Sequence, residues 1–175
     1  MKVATQLASL FTWLHEKRFA IGRMEPSAIM IDKEFNIKVV DFSSLIRVRD
    51  IPHNTSREAD NVTETLKGDV YAFGIQLLKL ITNNKNIEGP YYWWIMEELQ
   101  GGKRSIVDES ALVNCDGVLT CGISKQAAEC LDEDPNARPD MENVFARLTN
   151  LISKTDPGQR QVRDVFSERP GEQFR

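Results

Sequence analysis

Acyl, phosphoryl and redox chemistry each need particular side chains at particular spacings, and this chain carries few such combinations. Its two histidines, His15 and His53, have no Ser, Cys or carboxylate at a spacing that implies a nucleophile pair. Cys115, Cys121 and Cys130 are odd in number and contain no metal-like CxxC pair, so they read as free thiols in a reducing compartment. Ser43, Ser44, Thr55, Ser56, Thr63 and Thr65 offer hydroxyls for phosphorylation, although any polar loop carries such residues. Tyr91, Tyr92, Trp93 and Trp94 form a candidate partner patch, with one or two rings expected in the core and the others at a partly exposed rim.

The elements that would position these groups follow from periodicity. Val3, Leu7, Leu10, Phe11 and Leu14 recur at helical spacing and predict an amphipathic helix from Lys2 to about Glu16. Beyond Phe19-Ala-Ile and Pro26, the β-prone runs Ile29–Ile31 and Ile37–Val40 flank the turn residues Asp32–Asn36, which predicts a small hairpin. Ser43–Lys67 is polar, holds Pro52 and keeps no period, so it reads as a long surface loop of the kind that is usually functional or disordered. Gly68–Thr82 is apolar nearly all round through Val70, Phe73, Ile75, Leu77, Leu78, Leu80 and Ile81, and such a helix must be buried. Gln76 and Lys79 interrupt it, and it falls short of the roughly 20 apolar residues that span a bilayer. A loop over 83–89 precedes a helix at Tyr91–Gln100, stopped by Gly101-Gly102. One more helix is expected around Ile123–Leu131, broken at Asp134-Pro135, and a last one over Met141–Ile152. We expect one domain over residues 1–153 and a disordered tail over 154–175.

A chain of 175 residues can hide ~70% of its unfolded surface in one core. The net charge of −4 and the absence of any basic run argue against a nucleic-acid surface. The N-terminus has neither a signal-peptide pattern nor a glycine at position 2, so a cytoplasmic protein without membrane insertion is expected.

The run Asp69-Val-Tyr-Ala-Phe-Gly-Ile-x-Leu-Leu-x-Leu-Ile-Thr82 resembles the central helix of the C-terminal lobe of protein kinases, in the form found in plant receptor-like kinases. Trp94–Asp108, with Glu98-Leu99, Gly102-Lys103 and Ile106-Val-Asp108, is similar to a later part of those domains. So is Ala127-x-x-Cys-Leu-x-x-Asp-Pro-x-x-Arg-Pro-x-Met141. Together the motifs cover nearly all of residues 3–152. The resemblance implies a mainly α fold, the C-terminal lobe of an α+β kinase, with a helical bundle around a buried central helix and a small β-hairpin.

Kinases move a phosphoryl group by positioning it, neutralising its charge with cations and orienting the substrate hydroxyl with a carboxylate. The family's catalytic loop reads His-Arg-Asp-Leu-Lys-Pro-x-Asn, and the matching segment here is Ile21-Gly-Arg-Met-Glu-Pro-Ser-Ala28. By this resemblance Arg23 stands at the catalytic Asp, and a guanidinium, which only donates, cannot be a base. Glu25 replaces a Lys beside the transferring group, and Ala28 replaces the metal-binding Asn with a side chain that offers no oxygen. Asp41, in Asp-Phe-Ser43, matches the Mg²⁺-binding Asp of Asp-Phe-Gly and is the one remaining candidate for a metal or a cofactor. A lone carboxylate reads more simply as a solvated or hydrogen-bonded loop residue, and Ser43 narrows the backbone freedom that Gly would give. No Gly-rich phosphate loop or strand Lys precedes these motifs, so no cofactor is expected; ATP and Mg²⁺ would bind, weakly, only with an upstream N-terminal lobe.

Two structural positions match the family. Asp69 is expected to accept hydrogen bonds from catalytic-loop N–H groups, with Arg23 as an ion-pair partner. Arg138 matches an Arg that pairs with the Glu of Ala-Pro-Glu; that motif is missing between Asp41 and Asp69, so Glu58 or Glu64 is the expected substitute. The resemblance implies an inactive kinase-like (pseudokinase) protein acting as a binding or adaptor module in plant receptor or immune signalling. Its partners would be other proteins, a kinase or an immune receptor, reached in the cytoplasm or at the plasma membrane through those partners. The alternatives are a serine/threonine kinase that binds ATP, and a truncated remnant without function.

Overall fold

The computed structural model describes residues 1–22, 28–48, 56–82, 84, 87, 93, 95–98, 101, 106 and 117–155, with only the backbone given at 56–64, 117, 118 and 155. Helix α1 (Lys2–Glu16) buries Ala4, Leu7, Ala8, Phe11 and Leu14, the stripe that its apolar spacing dictates. Arg18, in the left-handed region at φ 60°, turns the chain out of α1 into the two-residue strand β1 (Phe19–Ala20).

Strands β2 (Ile29–Ile31) and β3 (Ile37–Val39) pair antiparallel, with Ile29 opposite Val39, Met30 opposite Lys38 and Ile31 opposite Ile37. Asp32 makes the turn between them: its Oδ1 accepts the N–H groups of Glu34 at 3.0 Å and Asn36 at 2.7 Å, and its Oδ2 accepts the Asn36 amide at 3.0 Å. This is the side-chain-to-backbone bonding that makes Asp a turn residue. The hairpin is tied to α1, where Gln6 Oε1 accepts the Ile37 N–H at 2.8 Å and Lys2 Nζ donates to the Glu34 carbonyl at 2.9 Å. A second two-stranded sheet pairs β1 with β4 (Ile46–Arg47).

Helix α2 (Ser56–Thr82) begins twelve residues before the expected Gly68. The long loop expected over Ser43–Lys67 is therefore corrected: β4 lies within it, residues 56–67 are helical, and residues 49–55 lie outside the described set. Lack of an apolar period rules out a buried stripe but not a helix. A polar segment joined to a packed helix can propagate from it without bearing the cost of nucleation.

Helix α3 (Gly117–Cys130) is followed by a 3₁₀ turn (Pro135–Ala137), whose N-cap Asp134 accepts the Asn136 N–H at 2.9 Å, and then by α4 (Met141–Thr155). Of the expected Tyr91–Gln100 helix, residues 93 and 95–98 are described and helical, and the Gly101 N–H closes on the Glu97 carbonyl at 2.7 Å. The tail expected from residue 154 meets α4, which runs to Thr155; residues beyond that lie outside the described set.

The core centres on α2. Val70, Phe73, Leu77, Leu78 and Ile81 are buried among Phe11 and Leu14 of α1, Ile123 and Ala127 of α3, and Val144 and Leu148 of α4. Phe11 meets Phe73 edge-on, with ring centroids 5.9 Å apart. The molecule is thus mainly α, a helical bundle around a buried central helix with a small hairpin.

Candidate functional site

Near the start of the buried part of α2, Asp69 carries a fully buried carboxylate. Its Oδ2 accepts the Ile21 N–H at 2.7 Å and its Oδ1 accepts the Gly22 N–H at 2.9 Å. Oδ2 also lies 2.9 Å from His15 Nε2 at the end of α1. A buried charge persists when it is fully hydrogen-bonded, and these contacts join α1, the exit of β1 and α2 at one point. Gly22 sits at φ +66°, and a Cβ there would lie 3.0 Å from Ile46 Cδ1, so the backbone is both turned and crowded where it leaves β1. Arg23, the expected ion-pair partner of Asp69, lies outside the described residues, as does Glu25.

His15 was not assigned to this site from its spacing. Its carboxylate partner lies 54 residues downstream, a separation that no local pattern reveals. The available signal was its place four residues after Phe11, on the core-facing side of α1; the two rings lie 6.4 Å apart. His15 also borders an open depression of about 480 Å³, whose charged lining mixes Glu16, Asp140 and Glu142 with Arg18 and Lys67. His53 lies outside the described residues.

The hairpin holds the other candidates. Hydrogen bonds from Val40 N–H to the Ala28 carbonyl (2.9 Å) and from Asp32 N–H to the Asn36 carbonyl (3.0 Å) extend the pairing beyond both ends of the strands. With side chains alternating in direction, Ala28, Met30, Lys38 and Val40 share the outer face, while Ile29 and Val39 point back toward α1. Met30 is 59% exposed and Val40 55%.

Asp41 follows directly and is exposed. The Ser43 N–H at 2.8 Å, together with the Ser43 hydroxyl, holds its carboxyl below the usual range. Ala28, across the ribbon from Val40, supplies no oxygen. Among the described residues no group of three His, Cys, Asp or Glu side chains could hold a metal ion. Mg²⁺ is usually held by one or two carboxylates with waters and phosphates, and at this end of the hairpin the described side chains offer it Asp41, already engaged by Ser43. Under the hairpin, the crevice between Leu10, Leu14, Ile21, Phe42 and Leu45 has room of about 10 Å³, no more than one water needs.

Arg138 sits just after the 3₁₀ turn. Its Nε donates to the Asp132 carbonyl at 2.7 Å and its Nη1 to the Lys67 carbonyl at 3.0 Å, and the guanidinium lies 4.9 Å from the Tyr71 ring centre. Lys67 Nζ answers by donating to the Arg138 carbonyl and to Asp140 Oδ1, each at 2.6 Å. Backbone carbonyls and an aromatic face thus satisfy the guanidinium fork. The side chains of Glu58 and Glu64 lie outside the described residues. Trp93 of the aromatic patch is 63% exposed, while Tyr91, Tyr92 and Trp94 are not described. Of the candidate hydroxyls, Ser43 is exposed and Ser44 and Thr65 are half-buried; Thr55 and the side chains of Ser56 and Thr63 are not described.

A buried helix whose Asp fixes an incoming loop, a hairpin beside that loop and a bundle around both make a fold of the kinase C-terminal-lobe kind. Comparison with known proteins points the same way. The chain is 25% identical to a probable L-type lectin-domain containing receptor kinase of Arabidopsis thaliana, in an alignment covering 96% of the chain and 29% of the relative. It is 25% identical to a probable inactive receptor kinase of the same plant, over 81% of the chain and 28% of the relative. A G-type lectin S-receptor-like serine/threonine-protein kinase, also from Arabidopsis thaliana, is 27% identical over 89% of the chain and 22% of its own length. The chain is thus similar to plant receptor kinases and spans less than a third of each. No protein-family profile matches it. Among the described residues no helix is long and apolar enough to cross a membrane.

Proposed function

We propose that the chain is an inactive kinase-like domain that works by binding other proteins, as an adaptor in receptor or immune signalling. The observation that carries this reading is the pairing of Ala28 with Val40 beside Asp41: where phosphoryl transfer needs two oxygen ligands around a cation, the hairpin offers one carboxylate already engaged by Ser43. Arg23, at the position of the catalytic carboxylate, supports the same reading, because it leaves no base for the substrate hydroxyl. That some relatives are named inactive kinases agrees with it. The expected partners are a kinase or an immune receptor.

The names of other relatives favour a second reading, serine/threonine kinase activity. One assay separates the two. Incubated with γ-labelled ATP, Mg²⁺ and a generic protein substrate, the chain should transfer no label above a blank, and Asp41→Ala should behave identically. Transfer that disappears in Asp41→Ala would establish an enzyme.

A further inference from the structure

We draw no further inference here: the strongest candidate, the open depression of about 480 Å³ between the end of α1, Leu66–Val70 of α2 and the start of α4, carries nothing, because its Lys67 and His15 are already engaged by Asp140 and Asp69 and nothing in the structure shows what would occupy it.

Discussion

Asp69→Ala would strip the acceptor from two backbone N–H groups and the partner from His15. The Ile21 N–H is buried, and leaving such donors without an acceptor costs ~1–3 kcal/mol each. The expected loss is about 3 kcal/mol, read as a lowered midpoint in urea titration. The site thereby acts on folding. Asp32 supports a second expectation. Chiefly the Asn36 N–H, then the Asn36 side chain, lowers its carboxyl from 3.8. A depressed folded value contributes stability that is present above about 3.8 and is lost as pH falls through the lower folded value. Asp32→Asn should therefore reduce stability at pH 7 and flatten its decline below pH 4, as measured by urea midpoints across that range. At the same scale, the roles implied for Arg23 and Glu25 come from their positions in the sequence; Asp69 accepts the Ile21 and Gly22 N–H groups, whereas Arg138 is held by backbone carbonyls, and the side chains of Glu58 and Glu64, its expected partners, lie outside the described residues.

Helix crossings set the limits at the level of elements. A Cβ at Gly74 of α2 would lie 2.9 Å from Cys130 Cβ and 2.9 Å from Leu131 Cγ, atoms fixed close to the backbone of α3 and its exit. A Cβ at Gly122 of α3 would meet mainly the far end of Leu151 of α4, starting 2.5 Å from its Cδ2, and that methyl can rotate aside. Alanine gains about 1 kcal/mol of helix propensity over glycine at either position. Forcing apart the α2–α3 crossing costs roughly 1–3 kcal/mol, so Gly74→Ala should lower the melting temperature. Gly122→Ala should change it little, because a rotated leucine costs less than a moved helix. The reverse order would mean that the α3–α4 contact is the more rigid one.

For the molecule as a whole, α2 packs against α1 and α3, and α4 closes the bundle against those same two helices, so burial along α2 reports the integrity of the fold. Cys130 faces α2, completely buried, and burial pushes its thiol up to about 12. A thiol in that state is inert until the bundle opens. Iodoacetamide should therefore label half-buried Cys121 before Cys130 in native buffer. Labelling of Cys130, followed by peptide mass, should rise only across the urea transition that circular dichroism detects. Early labelling of Cys130 would show that α3 detaches from α2 before global unfolding.

The sequence alone determined α1, the hairpin with its turn, the buried half of α2, most of α3 and the course of α4. In each, apolar residues recur with the period of the element, and Asp32 or Pro139 marks a boundary. The residues that the resemblance aligns with the family's catalytic loop, Arg23, Glu25 and Ala28, were legible there too, since residue identity settles whether a side chain can accept a proton or bind a cation. Tertiary structure alone decided the rest. The pairing of β1 with β4 joins two-residue strands that carry no period, and the polar first part of α2 is helical because it continues a packed helix. His15 found Asp69, and Arg138 found the carbonyls of Asp132 and Lys67, across separations that only the packed bundle closes. The outer hairpin face likewise emerged only from the register, because a shift of one residue would have turned Met30 and Val40 toward α1.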